Sequence, residues 1–484
     1  MISEVIFSHA QRLPEKPAII FGEEALSYRK FSRLIAMARG FFARRGYVGE
    51  GYALIASGNL LDFWVCSLAL RSLGLTTLQI PGAGAVDAVV ANARCFVVTI
   101  GSNAWRGLPA ACEQKGLELV HVHLPGEPEL DLNQGPSVAR QGGHLLATSG
   151  TTGDHKLVLM SAEADAVFLR RKNEVIGMDQ DTVLAAFNFP AWTAAGYRWA
   201  ASPWRVGGTV VIEQRQDVYR ALRQPNLTHA VMVPSVLEQV LAAPAGAFPR
   251  NDRIQVSVGG GAMTDRQLEQ VKERVSSRVF NLLASTEGGV IAHTPIHKPA
   301  DMMAHDLVAD RLVEIVDDHH QSLPVGEVGR VRVGVQGLVE GYLNNEAATA
   351  ECFREGFFYP GDLAKMLSDG RLVLQGRGSD VLNIGGFKVL PFPLEQRLAE
   401  NLGVLACIFA MPAEDGREEL HIVLETENAP DEERVLALLR GEAKFVSGVK
   451  VHSLKRFARN DMGKVVRRDV RQQISAVADC VDTP

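Results

Sequence analysis

The residues with the plainest chemical potential form one short string: Ala147-Thr148-Ser149-Gly150-Thr151-Thr152-Gly153-Asp154-His155-Lys156. Glycines and small hydroxyl residues let successive backbone N–H groups close on phosphate oxygens, and the Ser and Thr hydroxyls add donors. Lys156 supplies a point charge. The spacing is not GxxxxGK[ST], so this is not a Walker loop. A surface turn is the other reading such a string permits. Its position between an apolar β-type run, Leu145–Ala147, and a lysine favours phosphate binding.

The elements that must position this string alternate in type. β-type runs (Ala18–Ile20, Tyr52–Ala56, Cys95–Ile100, Leu145–Ala147, Val210–Ile212, Ala230–Val233, Gln255–Val258) interleave with helical stretches such as Ser32–Arg45, Leu60–Ser72, Asp265–Val275 and Ala347–Phe353. That alternation predicts α/β layering with mostly parallel sheets. From about Glu327 the texture changes to short β-type runs with tight turns: Val328–Val335, Asp362–Leu367 and Arg371–Leu374, with Ser368-Asp369-Gly370 between the last two. These predict a small antiparallel barrel or sheet. After Asp380 comes a tail with its own apolar pattern, a helix over Leu394–Leu402, strands over Leu405–Met411 and Glu419–Leu424, and a helix over Glu432–Ala443. About a hundred residues suffices for a small independent domain.

The chain has 484 residues, too many for one ordinary core, so at least two domains are expected. Its formal net charge is −6, and no Lys/Arg-rich run offers a face to nucleic acid or to a membrane surface. Six scattered cysteines form no CxxC pair, which reads as reduced structural thiols in a reducing compartment. The N-terminus lacks a positive n-region followed by an apolar run and cleavage site, so export is not expected and a cytoplasmic location is. The apolar stretch Phe63 to Ile80 is interrupted by Arg71 and Gly74, and reads as a buried helix and strand rather than a membrane span.

Thr148 to Lys156 matches T-S-G-T-T-G-x-x-K, the signature of the adenylate-forming superfamily of acyl-CoA synthetases, adenylation domains and luciferases. Further motifs follow in that family's order, so the resemblance covers nearly the whole chain. Ser285-Thr286-Glu287 matches the short acidic motif. Tyr359-Pro360-Gly361-Asp362 resembles the G-D motif, Gly376-Arg377-x-x-Asp380 the hinge motif, and Met462-Gly463-Lys464 the C-terminal G-K motif. The resemblance implies a large N-terminal domain, residues 1–379, built of two layered α/β subdomains and a small β-barrel-like subdomain. It implies a mobile α+β C-terminal domain, residues 380–484, that carries a catalytic lysine.

The same resemblance implies the chemistry. A carboxylic acid attacks the α-phosphate of ATP, pyrophosphate leaves, and the acyl group then passes to a thiol of CoA or of a carrier protein. Two anions must approach, so cations must offset their repulsion. Lys464 is the residue expected to bridge them. Glu287, acceptor-only when ionised, suits Mg²⁺, and Thr286 suits the AMP phosphate; a helix cap is the other reading of Thr286-Glu287. Thr148, Ser149, Gly150, Thr151, Thr152, Gly153 and Lys156 would cradle phosphate. Ala284 and Ser285 would border the nucleotide, Asp362 would accept the ribose hydroxyls, and Arg377 would contact ribose or phosphate. Asp380 is the expected hinge. Gly385-Gly386 lies where the family lets a pantetheine arm pass.

The chain departs from the family's pattern at several points. Leu283 stands where an aromatic residue usually stacks on adenine, with Ala284 in place of glycine; Leu157 and Ser161-Ala162 replace a glycine and Ser-His. Lys156-Leu157-Val158, Asn188-Phe189-Pro190, Glu287-Gly288 and the run Asn383 to Val389 resemble aryl-acid AMP ligases. Those enzymes carry H-N-Y-P where this chain reads Phe187-Asn188-Phe189-Pro190. Asn188 would recognise polar groups of an aryl acid. Phe187, Phe189 and Trp192, with Gly259 and Leu283 opposite, would line a more apolar pocket. A short- or medium-chain acyl-CoA synthetase and a non-catalytic acyl- or nucleotide-binding relative are the alternatives.

Overall fold

The computed structural model describes residues 2–57, 60–80, 94–100, 107–122, 141–148, 156–187, 189–213, 218–261, 263–335, 339–384, 387–413, 418–439, 448–459 and 464–481. The chain folds as two compact units. The first comprises Met1–Val231, Ser285–Val290 and Gly334–Phe358; the second comprises Met232–Ala284, Ile291–Val333 and Tyr359–Pro484.

In the first unit a six-stranded sheet runs in the order Glu118–Val122, Cys95–Ile100, Tyr52–Ala56, Thr76–Gln79, His144–Thr148, Lys156–Met160. All neighbours are parallel except the last pair, in which Thr148 stands opposite Lys156. Parallel strands are covered on both faces, so they read as continuous apolar runs. Ala53 to Ala56 and Phe96 to Val98 are accordingly buried. A second strand run has the order His229–Met232, Val183–Ala185, Thr209–Ile212, Pro17–Phe21, Glu24–Ser27, with only the final hairpin antiparallel.

The helix Leu60–Arg71 is buried from Phe63 to Arg71. Arg71 is tolerated there because each of its three guanidinium nitrogens finds an acceptor. It reaches Asp165 at 3.2 Å, Gly142 O at 3.2 Å and the Tyr197 hydroxyl, and Tyr197 itself donates to Asp165 at 2.8 Å. The arginine that interrupts an otherwise apolar stretch therefore ties three elements together. Breaking such a buried pair by removing one partner costs about 3–5 kcal/mol.

In the second unit the strands Gln255–Gly259 and Val279–Ser285 run parallel. Val313–Val316, Val328–Gly334, Asp362–Met366 and Leu372–Arg377 form an antiparallel meander around Ile315, Val331, Val333, Ala364 and Leu372. The tail builds a three-stranded sheet, Ala406–Pro412, Glu418–Glu425 and Val449–Leu454. Successive side chains of a strand point to opposite faces. Ile408, Leu420, Ile422 and Leu424 thus pack with residues of the helices Pro391–Leu402 and Glu432–Leu439. Cys407, Phe409 and Val423 pack instead against Val470 and Ile474 of the helix Arg467–Val481.

Candidate active site

In the first unit, four side chains converge from distant parts of the sequence. Lys156 opens the strand Lys156–Met160, and residues 342–343 lie along that strand through a Val158–Tyr342 bridge and a Leu343 N–H bond to Leu157 O of 2.7 Å. This places the Lys156 ammonium 5.0 Å from the centre of the Tyr342 ring, within cation–π range. The Tyr342 hydroxyl donates to Glu287 Oε1 at 2.7 Å. Arg198, from the helix Ala194–Val206, donates to the carbonyls of Thr286 at 2.9 Å and Ser285 at 3.4 Å.

Thr286 and Glu287 do not open a helix. They form the turn between the strands Val279–Ser285 and Gly289–Pro295, closed by Gly288 N–H donating to Ser285 Oγ at 2.8 Å. Glu287 is 5% exposed and has no ion pair among the described residues. Burial raises its carboxyl pKa; the Tyr342 hydrogen bond, its own backbone N–H, Arg198 and Lys156 oppose that rise. A buried hard-oxygen group of this kind fits a divalent cation. Among the described residues no cluster of three His, Cys, Asp or Glu could hold a metal ion. An ion at Glu287 would therefore complete its shell with phosphate oxygens and water, as Mg²⁺ commonly does.

The stretch expected to recognise an acid is strained at Phe187 and tightly held around Pro190. Phe187 is buried at φ 39°, a left-handed conformation that phenylalanine rarely adopts. Such strain costs about 1–3 kcal/mol and persists where surroundings enforce it. Here Thr193 Oγ1 donates to Pro190 O at 2.8 Å and accepts from Gly196 N–H at 3.0 Å. Gly196 is pressed so close that a Cβ would fall 2.1 Å from Pro190 O. Phe189 is buried, and Trp192 packs against the core of the six-stranded sheet, beside Leu145 and Leu157.

The second unit assembles another group. Asp362 and Arg377 face each other across paired strands with an ion pair of 2.9 Å, and Arg377 also bonds Pro360 O. Gly361, at φ +82°, makes the preceding corner that a residue with a Cβ would strain. Burial raises the Asp362 pKa; Arg377 and Lys464 pull it down and Asp380 pushes it up. Lys464 is thus close enough to act on Asp362. Its Cε lies 3.6 Å from where a Cβ on Gly260 would stand. Asp380 pairs with Arg467 at 3.5 Å, and Arg467 also grips Glu395 and Ile408 O.

Of the other expected residues, Thr148 ends its strand opposite Lys156. Gly259 ends the strand Gln255–Gly259 beside Leu282, and a Cβ there would fall 2.9 Å from Leu282 O. Leu283 packs against the core of the antiparallel meander, and Ala284 is exposed on the same strand. Ser149, Gly150, Thr151, Thr152, Gly153, Asn188, Gly385-Gly386 and Gly463 lie outside the described residues. Sequence reasoning missed Arg198, Tyr342 and Arg467. Only Tyr342 left a local signal, a Gly341-Tyr342 pair ahead of an Asn345-capped helix. The Tyr342 N–H is fixed by Thr349 Oγ1 at 2.9 Å, and a Cβ on Gly341 would strike Thr349 at 2.4 Å.

The family described as AMP-binding enzyme matches residues 6–343. The chain is 24% identical over 510 residues to 2,3-dihydroxybenzoate-AMP ligase of Bacillus subtilis (strain 168), covering 98% of this chain and 93% of that protein. It is 24% identical over 496 residues to Tyrocidine synthase 2 of Brevibacillus parabrevis; that match covers 96% of this chain but 13% of the much longer relative. Among solved structures, ATP-bound MatB from Rhodopseudomonas palustris superposes with a TM-score of 0.81 at 20% identity, over 99% of this chain and 100% of that one. These neighbours share the mixed α/β fold of adenylate-forming enzymes.

Proposed function

The chain belongs to the AMP-binding enzyme family of adenylate-forming ligases, and from that premise we propose that it activates an aromatic carboxylic acid with ATP and hands the acyl group to a thiol. The acid's carboxylate oxygen attacks the α-phosphorus, the bond to the β-phosphate oxygen breaks, and pyrophosphate leaves. The thiol of CoA or of a carrier-protein pantetheine then attacks the acyl carbon and releases AMP. Residues 1–379 bind the acid and ATP; residues 380–484 act as a mobile domain that delivers Lys464.

The observation that carries this reading is Glu287: a buried carboxylate, fixed by a neutral hydroxyl donor and lacking an ion pair among the described residues. Such a group is costly unless a cation completes it. Mg²⁺ held there would neutralise phosphate charge and orient pyrophosphate as it leaves. Lys156 and the Thr148–Gly153 string hold the phosphates, and Thr286 bonds the AMP phosphate. Ala284 and Ser285 border the nucleotide and Asp362 accepts ribose hydroxyls. Arg377 and Lys464 oppose the rise that burial gives the Asp362 pKa. Lys464 offsets the charge as carboxylate and α-phosphate approach, and Asp380 is the hinge.

Support for an aryl acid comes from the strained Phe187 and from the likeness to a 2,3-dihydroxybenzoate-AMP ligase. A second reading, a short- or medium-chain acyl-CoA synthetase, draws on the two buried phenylalanines that flank Asn188. Pyrophosphate exchange across substituted benzoates and aliphatic acids decides between them; exchange confined to aliphatic acids overturns the aryl reading. If Asn188 is the amide that recognises the acid, Asn188→Ala leaves a ligand group unpaired. That costs about 1–3 kcal/mol, roughly ten- to a hundredfold. The loss should concentrate on acids with an ortho polar substituent. A common loss on all acids would reduce Asn188 to a scaffold residue.

A further inference from the structure

We propose that Tyr342 and Arg198 are positioning residues for Glu287, which together fix its carboxylate for a divalent cation before nucleotide arrives. The inference rests on reading Glu287 as the ligand of that cation.

Three observations carry it. The first is the direct bond: Tyr342 Oη to Glu287 Oε1, 2.7 Å, between residues that are both nine-tenths or more buried. A neutral donor holds a carboxylate in one rotamer without neutralising it, whereas a lysine or arginine there would compete with an incoming cation. The second is the clamp on the turn itself. Arg198 donates to the Thr286 and Ser285 carbonyls, so it sets the backbone from which the carboxylate projects, while its charge also acts on Glu287. Its guanidinium also lies 4.3 Å from the Phe168 ring centre and contacts Met160 Sδ, which leaves it little freedom. The third is the support of Tyr342. Thr349 fixes its N–H, the strand carrying Lys156 fixes its backbone, and Phe353 packs edge-on at 5.3 Å. The hydroxyl therefore cannot swing away when a cation draws on Glu287.

Groups that orient a metal ligand from behind typically affect metal affinity ten- to a hundredfold when removed. The test is Mn²⁺ titration of the ATP-loaded protein by electron paramagnetic resonance, with metal-free ATP binding measured by calorimetry in EDTA. Tyr342→Phe should weaken Mn²⁺ binding about tenfold or more, with metal-free ATP binding unchanged and the thermal midpoint lowered by the lost buried bond. Arg198→Lys keeps the charge but loses the planar fork that spans two carbonyls, and should fall on the same side. Mn²⁺ affinity in Tyr342→Phe equal to the parent's overturns the proposal, whatever Arg198→Lys does. If the parent binds no ATP, the proposed function fails instead, so the two failures are distinguishable. A parallel loss of metal-free ATP binding in Tyr342→Phe also overturns it, by making Tyr342 a general scaffold residue.

Discussion

Glu287 and Asp362 are both acidic residues beside a strand end and a glycine, yet they are held in opposite ways. Glu287, in the first unit, is secured by a neutral hydroxyl, with its turn tied through backbone carbonyls to a buried arginine. Asp362, in the second unit, is secured by an ion pair to Arg377, whose side chain is 44% exposed, and feels the exposed Lys464. Buried bonds are little screened by salt, and leaving one partner unsatisfied costs about 1–3 kcal/mol. Exposed ion pairs are screened and contribute about 0–1 kcal/mol each. The first arrangement suits a group that must stay still throughout a reaction. The second leaves Asp362 adjustable, and its neighbour Lys464 belongs to residues 380–484, which are proposed to rotate.

The contrast is broken most directly at Lys464. Lys464→Ala should lower pyrophosphate exchange about 10²–10³-fold, the usual loss for one charge-stabilising donor. Thioester formation from supplied acyl-AMP should be spared. Assaying the two half-reactions separately checks this. Equal loss in both would make Lys464 part of the fixed machinery and remove the distinction between the clusters.

Asp362→Asn should have the next largest effect. The amide still accepts one ribose hydroxyl but can no longer pair with Arg377. An increase in KM for ATP of about ten- to a hundredfold corresponds to 1–3 kcal/mol. Initial rates against ATP concentration at saturating acid measure it. A change in kcat alone would mean that Asp362 acts on the chemical step and not on nucleotide binding.

The static and adjustable parts were not equally legible in the sequence. The central strands of the six-stranded sheet were legible, because doubly covered strands such as Tyr52–Ala56 and Cys95–Ile100 are mostly apolar runs, whereas sequence reasoning missed Glu118–Val122 and Val183–Ala185. The tail was legible too, since its strand alternation feeds two separate cores. Asp362, Arg377, Asp380 and Lys464 were all named from motifs, and the structure groups them within one unit. What could not be read was the clamp on Glu287. Tyr342 lies 55 residues from it, and Arg198 lies 88 residues from Thr286. No local spacing rule spans such separations. The helix-cap alternative for Thr286-Glu287 fails for a local reason: Gly288-Gly289 follow, Gly289 takes φ +71°, and Ser285 closes a turn instead. The strain at Phe187 was equally hidden, because residue type gives no warning of a left-handed phenylalanine.

The smallest expected effect sharpens the comparison through ionic strength. Arg459 forks onto Glu425 at 2.6 and 2.8 Å and reaches Glu238, on the helix Pro234–Ala242, at 3.2 Å. Arg456, with a side chain 72% exposed, adds a 3.6 Å contact to the same glutamate. Glu238 therefore links residues 456 and 459 to a helix more than two hundred positions earlier, only a few residues before Lys464. Removing its charge leaves the Arg459–Glu425 fork intact, so the fold should not suffer. What is lost is a screened, partly exposed attraction of about 0.2–1 kcal/mol. Glu238→Gln should accordingly slow pyrophosphate exchange by no more than about fivefold at low salt, and the difference from the parent should vanish as salt shortens the Debye length. Tyr342→Phe, acting on a buried bond that salt screens little, should show the same deficit at every salt concentration. A Glu238→Gln deficit that survives high salt would place this contact with the buried, static class. The division of the two clusters by their mode of attachment would then fail at its most exposed point.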